Sequence, residues 1–322
     1  NDKIEDIEIK DEYLLRIKLK KPSSSIKSLL TSVNLTPISP NSYSNYKDKF
    51  NNKDFIGTGP YFLESFSSNQ QIIRPFDNYW GLKPLNKGID FINYNNSSTL
   101  FGAIKTKEVD VLISNSIDDL QRVTLNNMVK KEKLNSGEGD PIEIGFITFK
   151  SNKLPLENQS IRKALSYTLD RELISQQVSF GTRKPLRSIV PNQLHKKEFS
   201  PWAKYDPKLA RTLLKKEGYC ETDILSIPLT FRSNIPADKL LALTWKDQIK
   251  RDLSDCIKIS LNGVESTTVY KRLSEGAFEA VILDWTGAYP DPEAYLTPLL
   301  SCNEIKNNTC LNGESVFSGS FW

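Results

Sequence analysis

The fold class is decided by residues 225–264, LSIPLTFRSNIPADKLLALTWKDQIKRDLSDCIKISLNGV. An apolar stretch at 225–232 is followed by a helical pattern from Pro236, and a second alternating apolar stretch ends at Val264. The segment therefore predicts two strands around one helix, which is the alternation of an α/β protein.

The same order of elements occurs earlier, at 88–113. GIDFINY predicts a strand, SSTLFGAIKTKE a helix capped by Ser97 or Ser98, and VDVLI a second strand. Because a strand, a helix and a strand follow each other so closely, we expect a βαβ unit with parallel pairing and a right-handed crossover.

Two longer helical patterns support this class. SIRKALSYTLDRELISQQV, at 160–178, repeats leucine every four residues, and Ser160 is a plausible cap for one continuous helix. YDPKLARTLLKKEGY carries Asp206 as the expected N-cap, Pro207 at the first helical position and Gly218 just beyond the last turn. Both helices are predicted to cover a sheet.

Strands dominate the first part of the chain. IEIKDEYLLRIKLKKP alternates apolar and charged residues and predicts one hairpin. GTGPYFLESFSSNQQIIRPFDNYWG, at 57–81, predicts a second hairpin, since Gly57 and Gly59 allow a tight entry before Pro60.

Composition limits the function classes. A chain of 322 residues favours two lobes over one core, and its 38% hydrophobic and 25% charged residues are typical of globular proteins. No apolar run is long enough to span a bilayer, and residues 1–6 are too charged for a signal peptide. The net charge of +4 is dispersed, with short basic runs such as Lys18–Lys21, so nucleic acid is not the expected partner.

Four cysteines are present, and none forms a C-x-x-C pair. Their even number fits two disulfides, most simply Cys302 with Cys310 and Cys220 with Cys256, while free buried thiols are the alternative. Disulfides would indicate an oxidising compartment. The spacing argues against a zinc site, and no metal site is expected.

The sequence offers little for an enzyme. It lacks the G-x-S-x-G, H-E-x-x-H, phosphate-loop and dinucleotide motifs. The single histidine, His195, lies in the polar stretch PNQLHKKEF and is expected at the surface. Asp118 with Asp119, or Asp291 with Glu293, could form a glycosidase-like pair, but acidic residues are too common to support this. We therefore expect no catalysis and no cofactor.

The stretch LDWTGAYPDPEAYL, at 283–296, directly follows the predicted strand FEAVILDW. It concentrates aromatic residues, glycine and proline where α/β sheets place ligand sites, at the carboxyl end of a strand. A ligand-contacting loop and a rigid surface turn with a packed tryptophan are both consistent with it.

Six blocks in order resemble the peptide/nickel/oligopeptide-binding family of ABC transporter solute-binding proteins, extracellular family 5. The blocks are GTGPY, NYWGLKP, AIKTKEVDVLI, IRKALSYTLDRELI, YDPKLARTLLKKEGY and DWTGAYPDPEAYL, and they cover most of residues 50–300. In that family the segment at 57–81 is scaffold, so the rings of its Tyr79-Trp80-Gly81 turn are expected to be buried.

The resemblance implies an α/β, two-lobed, periplasmic-binding-protein-like (type II) fold with mixed sheets flanked by helices. Residues 1–140 would form part of lobe one, with 1–50 as a sub-lobe remnant and 51–140 as a portion of its core sheet. Residues 141–322 would form lobe two, with the return to lobe one missing. The chain is thus expected to be an internal fragment whose lobe one is incomplete.

The resemblance also implies a ligand cleft between the lobes. Trp285 would stack on the ligand, while Thr286, Gly287 and Ala288 offer backbone and hydroxyl contacts, with Tyr289 beside them. Relatives commonly carry an aspartate at the position of Ala288 that pairs with the free amino group of a peptide. Here either Asp291 or a residue outside this chain takes that role, or the ligand is not a peptide with a free amino group. Relatives also carry a loop disulfide where Cys302 and Cys310 stand, which favours that pairing.

The implied function is the periplasmic, or lipid-anchored, binding component of an ABC importer. It would bind an oligopeptide or similar small polar solute and deliver it to the membrane permease, as a monomer. Two alternatives remain: the ligand-sensing domain of a transcriptional regulator with the same fold, and a nickel-chelate, opine or sugar binder of the same family. The residues that precede Asn1 would separate transport, by a signal peptide or lipobox, from regulation, by a helix-turn-helix.

Overall fold

The computed structural model describes residues 3–39, 56–113, 117–137, 139, 142–186, 188–194, 204–307 and 309–321. The chain forms two compact units. The larger unit comprises Asn1–Leu29 and Asp119–Trp322, and the smaller unit comprises Leu30–Asp118.

The larger unit begins with an antiparallel hairpin of β1 (Ile4–Asp11) and β2 (Leu14–Leu19), followed by the short helix α1 (Ile26–Leu29). Alternating apolar and charged residues produce this hairpin, as the sequence predicts.

The smaller unit contains a three-stranded antiparallel sheet and one longer helix. A 3₁₀ turn at Val33–Leu35 precedes β3 (Tyr61–Phe66), β4 (Gln70–Pro75), β5 (Ile89–Ile92) and α2 (Ser97–Thr106). The predicted hairpin at 57–81 is confirmed, because β3 pairs with β4. The cap of α2 is Asn96, whose side chain accepts a bond from the Thr99 N–H at 2.9 Å, and neither Ser97 nor Ser98 caps this helix.

The rest of the larger unit alternates helices and strands. Its elements are α3 (Asp119–Lys130), β6 (Glu143–Phe149), α4 (Gln159–Tyr167), α5 (Arg171–Ser179), a 3₁₀ turn (Asn192–Leu194), α6 (Pro207–Lys216), β7 (Leu225–Arg232), α7 (Pro236–Leu253), β8 (Ile257–Val264), α8 (Ser266–Leu273), β9 (Ala280–Thr286), α9 (Glu293–Leu300), β10 (Glu304–Lys306), β11 (Thr309–Asn312) and α10 (Glu314–Phe317).

Four of these strands form a mixed sheet in the order β6-β9-β7-β8. Strand β7 pairs in parallel with both β8 and β9, whereas β6 is antiparallel to β9. The segment 225–264 therefore forms a parallel β7–α7–β8 unit, and helices flank the sheet. The predicted α/β class with mixed sheets is confirmed.

The main core lies between this sheet and the helices α4, α6 and α7. Leu165, Leu214, Ile227 and Trp245 are fully buried there. The Trp245 indole N–H also donates to the Thr168 hydroxyl at 2.9 Å, so the largest core side chain leaves no unpaired donor.

The predicted second strand at 109–113 is wrong, because these residues form no strand. Within the described ranges, strand β5 pairs only with β4, in antiparallel fashion, and Val111 and Ile113 are exposed. The segment lacks a neighbouring strand among the described residues, and the parallel crossover occurs instead at β7–α7–β8.

The predicted single helix at 160–178 is two helices. Asp170 caps α5 by accepting a bond from the Leu173 N–H at 3.0 Å, and the Thr168 hydroxyl donates to the Leu165 carbonyl. Both side chains compete with backbone bonding and end the first helix. Its cap is Asn158 and not Ser160. The caps predicted at Asp206 and Pro207 are confirmed.

The compact units are divided at positions other than 140/141, and the predicted lobe boundary there stays a prediction. The segments Asn1–Leu29 and 119–140 belong to the larger unit with the rest of the chain after 141. The Lys3 ammonium donates a hydrogen bond to the Glu293 carboxylate, and the Asp119 carboxylate accepts one from the Thr182 hydroxyl at 3.3 Å. These side-chain contacts attach both segments to the rest of the larger unit.

Trp80 is 82% exposed, which contradicts the prediction that the rings of its turn are buried. Both predicted disulfides, Cys220–Cys256 and Cys302–Cys310, are present. His195 lies outside the described residues.

Candidate functional site

Several strand ends meet at one edge of the four-stranded sheet. The parallel strands β7, β8 and β9 end at Arg232, Val264 and Thr286. The antiparallel β6 begins at the same edge, with Glu143 directly opposite Thr286. This carboxyl edge is where open α/β sheets bind ligands.

The first residues of β6 and the last residues of β9 divide between the two faces of the sheet. Glu143 pairs with Thr286 and Gly145 with Asp284, so these four residues share one face. On the opposite face Ile144 pairs with Trp285, and both belong to a core cluster. The edge therefore has a polar face and an apolar face.

A buried arginine organises the polar face. The Arg232 guanidinium is 5% exposed and forms two bonds with Asp238: Nε donates to Oδ2 at 2.7 Å and Nη2 donates to Oδ1 at 3.0 Å. Arg232 Nη2 also lies 2.8 Å from Asp284 Oδ2. Its Nη1 donates to the Tyr270 hydroxyl at 2.7 Å, which in turn donates to Asp284 Oδ1 at 3.3 Å.

The hydrogen bonds of this network determine which of its groups are charged. Burial alone would lower the pKa of Arg232, but its bonds to Asp238 and Asp284 outweigh burial and raise that pKa, so the guanidinium stays charged. Burial, followed by the charge of Asp284, raises the pKa of Tyr270, which stays neutral. Asp284 is thus held by two donors at the sheet edge.

The loop after β9 is fixed from its apolar side. The half-buried Trp285 indole N–H donates to the Ala294 carbonyl at 2.8 Å, and the buried Tyr295 hydroxyl donates to the Ile142 carbonyl. A Cβ atom added to Gly287 would lie 2.6 Å from Cε2 of Tyr295, so only glycine fits there without a shift. Trp285 and Tyr295 pack the loop onto α9.

The remaining predicted site residues follow along this loop. Thr286 and Ala288 are exposed, and Gly287 and Tyr289 are half-buried. Burial, followed by Glu293 and Asp291, raises the pKa of Tyr289. Asp291 Oδ1 accepts a bond from the Glu293 N–H at 2.9 Å and so supports the start of α9. The predicted residues are thus neighbours along one loop, but Trp285 and Thr286 point to opposite faces of β9.

Glu293 has partners of its own. Its carboxylate accepts bonds from the Lys3 ammonium and from the buried Ser25 hydroxyl, and these bonds lower its pKa. Asp119 accepts a bond from Thr182 and lies 3.5 Å from Arg183 Nε. Glu293 and Asp119 thus each have partners of their own.

Four residues at the edge are not predicted from the sequence: Arg232, Asp238, Tyr270 and Asp284. A signal was available, because Arg232 closes the apolar strand LSIPLTFR and Asp284 interrupts the apolar run VILDW. A charged residue at the carboxyl end of a buried strand indicates a site as directly as an aromatic loop does.

A separate cavity of about 540 Å³ lies in the smaller unit. It is a groove beside α2, lined by residues between Asn93 and Glu108. Asn96 caps α2, and the Tyr94 hydroxyl donates to Glu108 at 3.0 Å. Within the described part of the chain, no group of His, Cys, Asp and Glu side chains could hold a metal ion, and no helix has the length and apolarity of a membrane span.

Residues 1–307 match the sequence family described as bacterial extracellular solute-binding proteins, family 5 Middle. The chain belongs to this family. The predicted resemblance is therefore confirmed, and the family consists of solute-binding proteins.

Three curated relatives define the relationship of this family 5 chain. It is 24% identical to the dipeptide-binding protein of Escherichia coli K12, over 77% of the chain and 45% of the relative. It is 28% identical to heme-binding protein A of Haemophilus influenzae, over 79% of the chain and 46% of the relative. It is 26% identical to the nickel-binding periplasmic protein of Escherichia coli K12, over 81% of the chain and 52% of the relative. The chain thus spans about half the length of these relatives.

Solved structures show the same fold. NikA from Brucella suis in complex with Fe(III)-EDTA has a TM-score of 0.78 and 23% identity, over 93% of this chain and 62% of that one. The Escherichia coli murein tripeptide-binding protein MppA has a TM-score of 0.72 and 21% identity, over 98% of this chain and 60% of that one. The family 5 chain therefore has the α/β fold of type II periplasmic binding proteins.

Proposed function

We propose that this chain carries the solute-binding surface of an ABC importer component that works outside the cytoplasmic membrane. It binds an oligopeptide or a similar small polar solute, catalyses no reaction, and passes the solute to a membrane permease. Membership of family 5 and relatives named for dipeptides and nickel support this role.

The observation that carries the proposal is the carboxyl edge of the four-stranded sheet. Thr286 and Ala288 are exposed there, on a loop that hydrogen bonds from Trp285 and Tyr295 hold in place. A rigid loop with exposed backbone and hydroxyl groups suits the recognition of a peptide-like solute, since little ordering is needed on binding.

Each predicted residue has a proposed role. Thr286, Gly287 and Ala288 supply hydroxyl and backbone contacts, and the half-buried Trp285 and Tyr289 supply the apolar wall beside them. Asp291 is a weaker candidate for pairing with a ligand amino group, because one of its oxygens already supports the start of α9.

Isothermal titration of the chain with pools of dipeptides and tripeptides tests the proposal. We expect at least one pool to bind with an affinity in the micromolar range, about −8 kcal/mol. Titration with Fe(III)-EDTA in parallel distinguishes a metal-chelate binder. Binding of the chelate without binding of any peptide would contradict the proposed solute class.

A matched pair of variants locates the site. Gly287→Ala places a Cβ atom against the Tyr295 ring and displaces the loop, so we expect peptide affinity to fall by at least about tenfold. Gly59→Ala meets no atom within 4 Å and lies in the smaller unit, and it should bind as the unchanged chain does. Equal binding by both variants would contradict this location.

A further inference from the structure

The loop between β4 and β5 in the smaller unit presents large apolar side chains to solvent. We call this segment, residues 76–88, the β4–β5 loop. Trp80 is 82% exposed, and both Leu82 and Leu85 are fully exposed. A single exposed apolar residue is ordinary, but three within the stretch 80–85 form a patch, and patches of this kind mark contact surfaces.

Backbone and side-chain hydrogen bonds fix both ends of the β4–β5 loop. At its start, the Phe76 N–H donates to the Pro60 carbonyl at 2.8 Å. At its end, Asn86 Oδ1 accepts bonds from the Gly88 N–H and from the Tyr61 hydroxyl, each at 3.1 Å. The loop therefore holds a defined conformation, and little further ordering is needed when it contacts a surface.

The turn that carries Trp80 is also held in place. The Trp80 indole N–H donates to the Thr58 carbonyl at 3.4 Å, and the ring centroids of Tyr79 and Trp80 are 5.2 Å apart. A Cβ atom added to Gly81 would lie 2.7 Å from Cε1 of Tyr79, so glycine lets the ring pack closely on the turn. Trp80 thus has a fixed position while most of its surface stays open.

The charges of the β4–β5 loop accompany its apolar side chains. Lys83 and Lys87 are exposed on either side of Leu85, and Asp77 is the only acidic residue of the segment. Tryptophan, leucine and lysine together are typical of segments that lie in the interface of a lipid bilayer. Lysines near such a surface are attracted to anionic headgroups.

The size of the patch favours a lipid surface over a protein partner. A standard protein interface uses about 20–30 residues on each side, many more than one short loop offers. A bilayer interface needs only a few inserted apolar side chains with cations beside them. The β4–β5 loop meets the second requirement and falls short of the first.

The turn of the β1–β2 hairpin provides a contrast within the same chain. Tyr13 is almost fully exposed there, as Trp80 is in its own loop. It directly follows Asp11 and Glu12, however, whose charges are repelled by an anionic membrane. Exposure is therefore shared by the two segments, but only the β4–β5 loop combines it with an excess of lysine.

From these observations we infer that the β4–β5 loop is a membrane-contact site for bilayers that contain anionic phospholipids. Trp80, Leu82 and Leu85 enter the interface, and Lys83 and Lys87 pair with the headgroups. The inference goes beyond the proposed function, because it concerns a lipid surface and not the solute. A single loop gives only weak, reversible binding, which brings the chain to the membrane that holds the proposed permease.

Vesicle flotation tests the lipid preference. The chain is mixed with vesicles of phosphatidylcholine alone, or of equal parts phosphatidylcholine and phosphatidylglycerol. We expect at least about fivefold stronger binding to the anionic vesicles, the gain for one unbalanced lysine near such a surface. Added NaCl should reduce this difference, because salt screens the exposed lysines.

Combined replacement of the three apolar side chains tests the insertion. Trp80→Ser, Leu82→Ser and Leu85→Ser in one chain should weaken binding to anionic vesicles at least about tenfold, since the apolar area that enters the interface is lost. The melting temperature should stay unchanged, because these side chains are exposed. Tyr13→Ser is the matched control and should bind as the unchanged chain does.

Replacement of the two lysines separates charge from insertion. Lys83→Gln with Lys87→Gln should remove most of the preference for anionic vesicles and leave the binding to phosphatidylcholine alone unchanged. Equal weakening on both kinds of vesicle would contradict the role given to the lysines.

Fluorescence quenching reports whether Trp80 enters the bilayer. Vesicles with brominated acyl chains quench tryptophans that lie in the interface, and the chain contains five tryptophans. Trp80→Phe keeps an apolar ring, so it should still bind anionic vesicles but lose most of the quenching. Equal quenching of this variant and of the unchanged chain would place another tryptophan at the lipid and overturn the inference.

Three further outcomes would also overturn the membrane contact. One is equal vesicle binding by the unchanged chain and by the triple serine variant. Another is failure of a chain with an intact melting transition to bind anionic vesicles. The third is dimerisation in analytical ultracentrifugation that the triple variant loses while neither chain binds vesicles, which would assign the loop to a second copy. Because peptide titration needs no vesicles, each of these results leaves the solute-binding proposal to its own test.

Discussion

The two compact units differ in how they bury apolar side chains. In the larger unit, Trp245 is 1% exposed and lies in a continuous core with leucines and isoleucines of the sheet and of three helices. Among the described residues of the smaller unit, the buried hydrophobic residues are Ala103, Ile104 and Ile117, while Trp80 and Leu85 are exposed. A substitution of the same type should therefore cost much more in the larger unit, which also carries the proposed site.

Replacement of one tryptophan in each unit gives the largest contrast. Trp245→Ala removes a fully buried ring and its bond to Thr168, and we expect a loss near the upper end of about 3–5 kcal/mol. Trp80→Ala should change the free energy of unfolding by less than about 0.5 kcal/mol. Denaturant unfolding measures both, and equal losses would refute the difference in packing.

The two units also differ in how deeply their ion pairs are buried. Asp238→Ala leaves the Arg232 guanidinium buried without its bidentate partner, which should cost about 3–4 kcal/mol. Asp90→Ala breaks the Arg74–Asp90 pair in the smaller unit, where both side chains are in contact with solvent, and its effect should be far smaller. The same unfolding measurement applies, and a larger cost for Asp90→Ala would show that burial does not determine the effect.

Both disulfides lie in the larger unit, and they close loops of different length. Replacing Cys220 and Cys256 by alanine should cost about 2–4 kcal/mol, since their bridge closes a separation of 36 residues. The Cys302–Cys310 bridge spans only 8 residues and should contribute about 1 kcal/mol less. Melting curves of the two double variants test the order, and a larger loss for the shorter loop would contradict it.

The smallest effect concerns the contact between the N-terminal hairpin and α9. The bonds from Lys3 and Ser25 lower the pKa of Glu293 in the folded chain, so they stabilise it above the ordinary glutamate pKa of about 4.3. This contribution is lost as the pH falls through the lowered pKa. It should stay below about 1 kcal/mol because both side chains are partly exposed.

Melting of the unchanged chain and of Glu293→Gln at several pH values checks this sign. The unchanged chain should be more stable at pH 7, and the difference should shrink below about pH 4. A difference that grows on acidification would contradict the assignment of Lys3 as the partner of Glu293.

Local sequence signals predicted much of the larger unit. The β7–α7–β8 segment, the cap at Asp206 and both disulfides follow from periodicity, capping chemistry and cysteine number. The break at Thr168–Asp170 could not be read from apolar spacing, since the leucine repeat continues across it while polar side chains end the helix.

The proposed site can be derived from the sequence only in part. The aromatic loop after β9 was visible because glycine, proline and rings cluster in the sequence. Pairing of Glu143 with Thr286 and of Gly145 with Asp284 joins segments about 140 residues apart, and only the sheet register brings them together. The contact of Arg232 with Asp284 likewise depends on the parallel pairing of β7 with β9.

Photochemical cross-linking locates the bound solute on the chain. A tripeptide with a photoreactive phenylalanine would be bound to the chain, irradiated, and its attachment points mapped by mass spectrometry. We predict adducts within 142–149 and 284–292, at the carboxyl edge of the sheet, that the tripeptide without the photoreactive group competes away. Adducts concentrated at 93–108, in the groove of the smaller unit, would contradict a solute site at this edge.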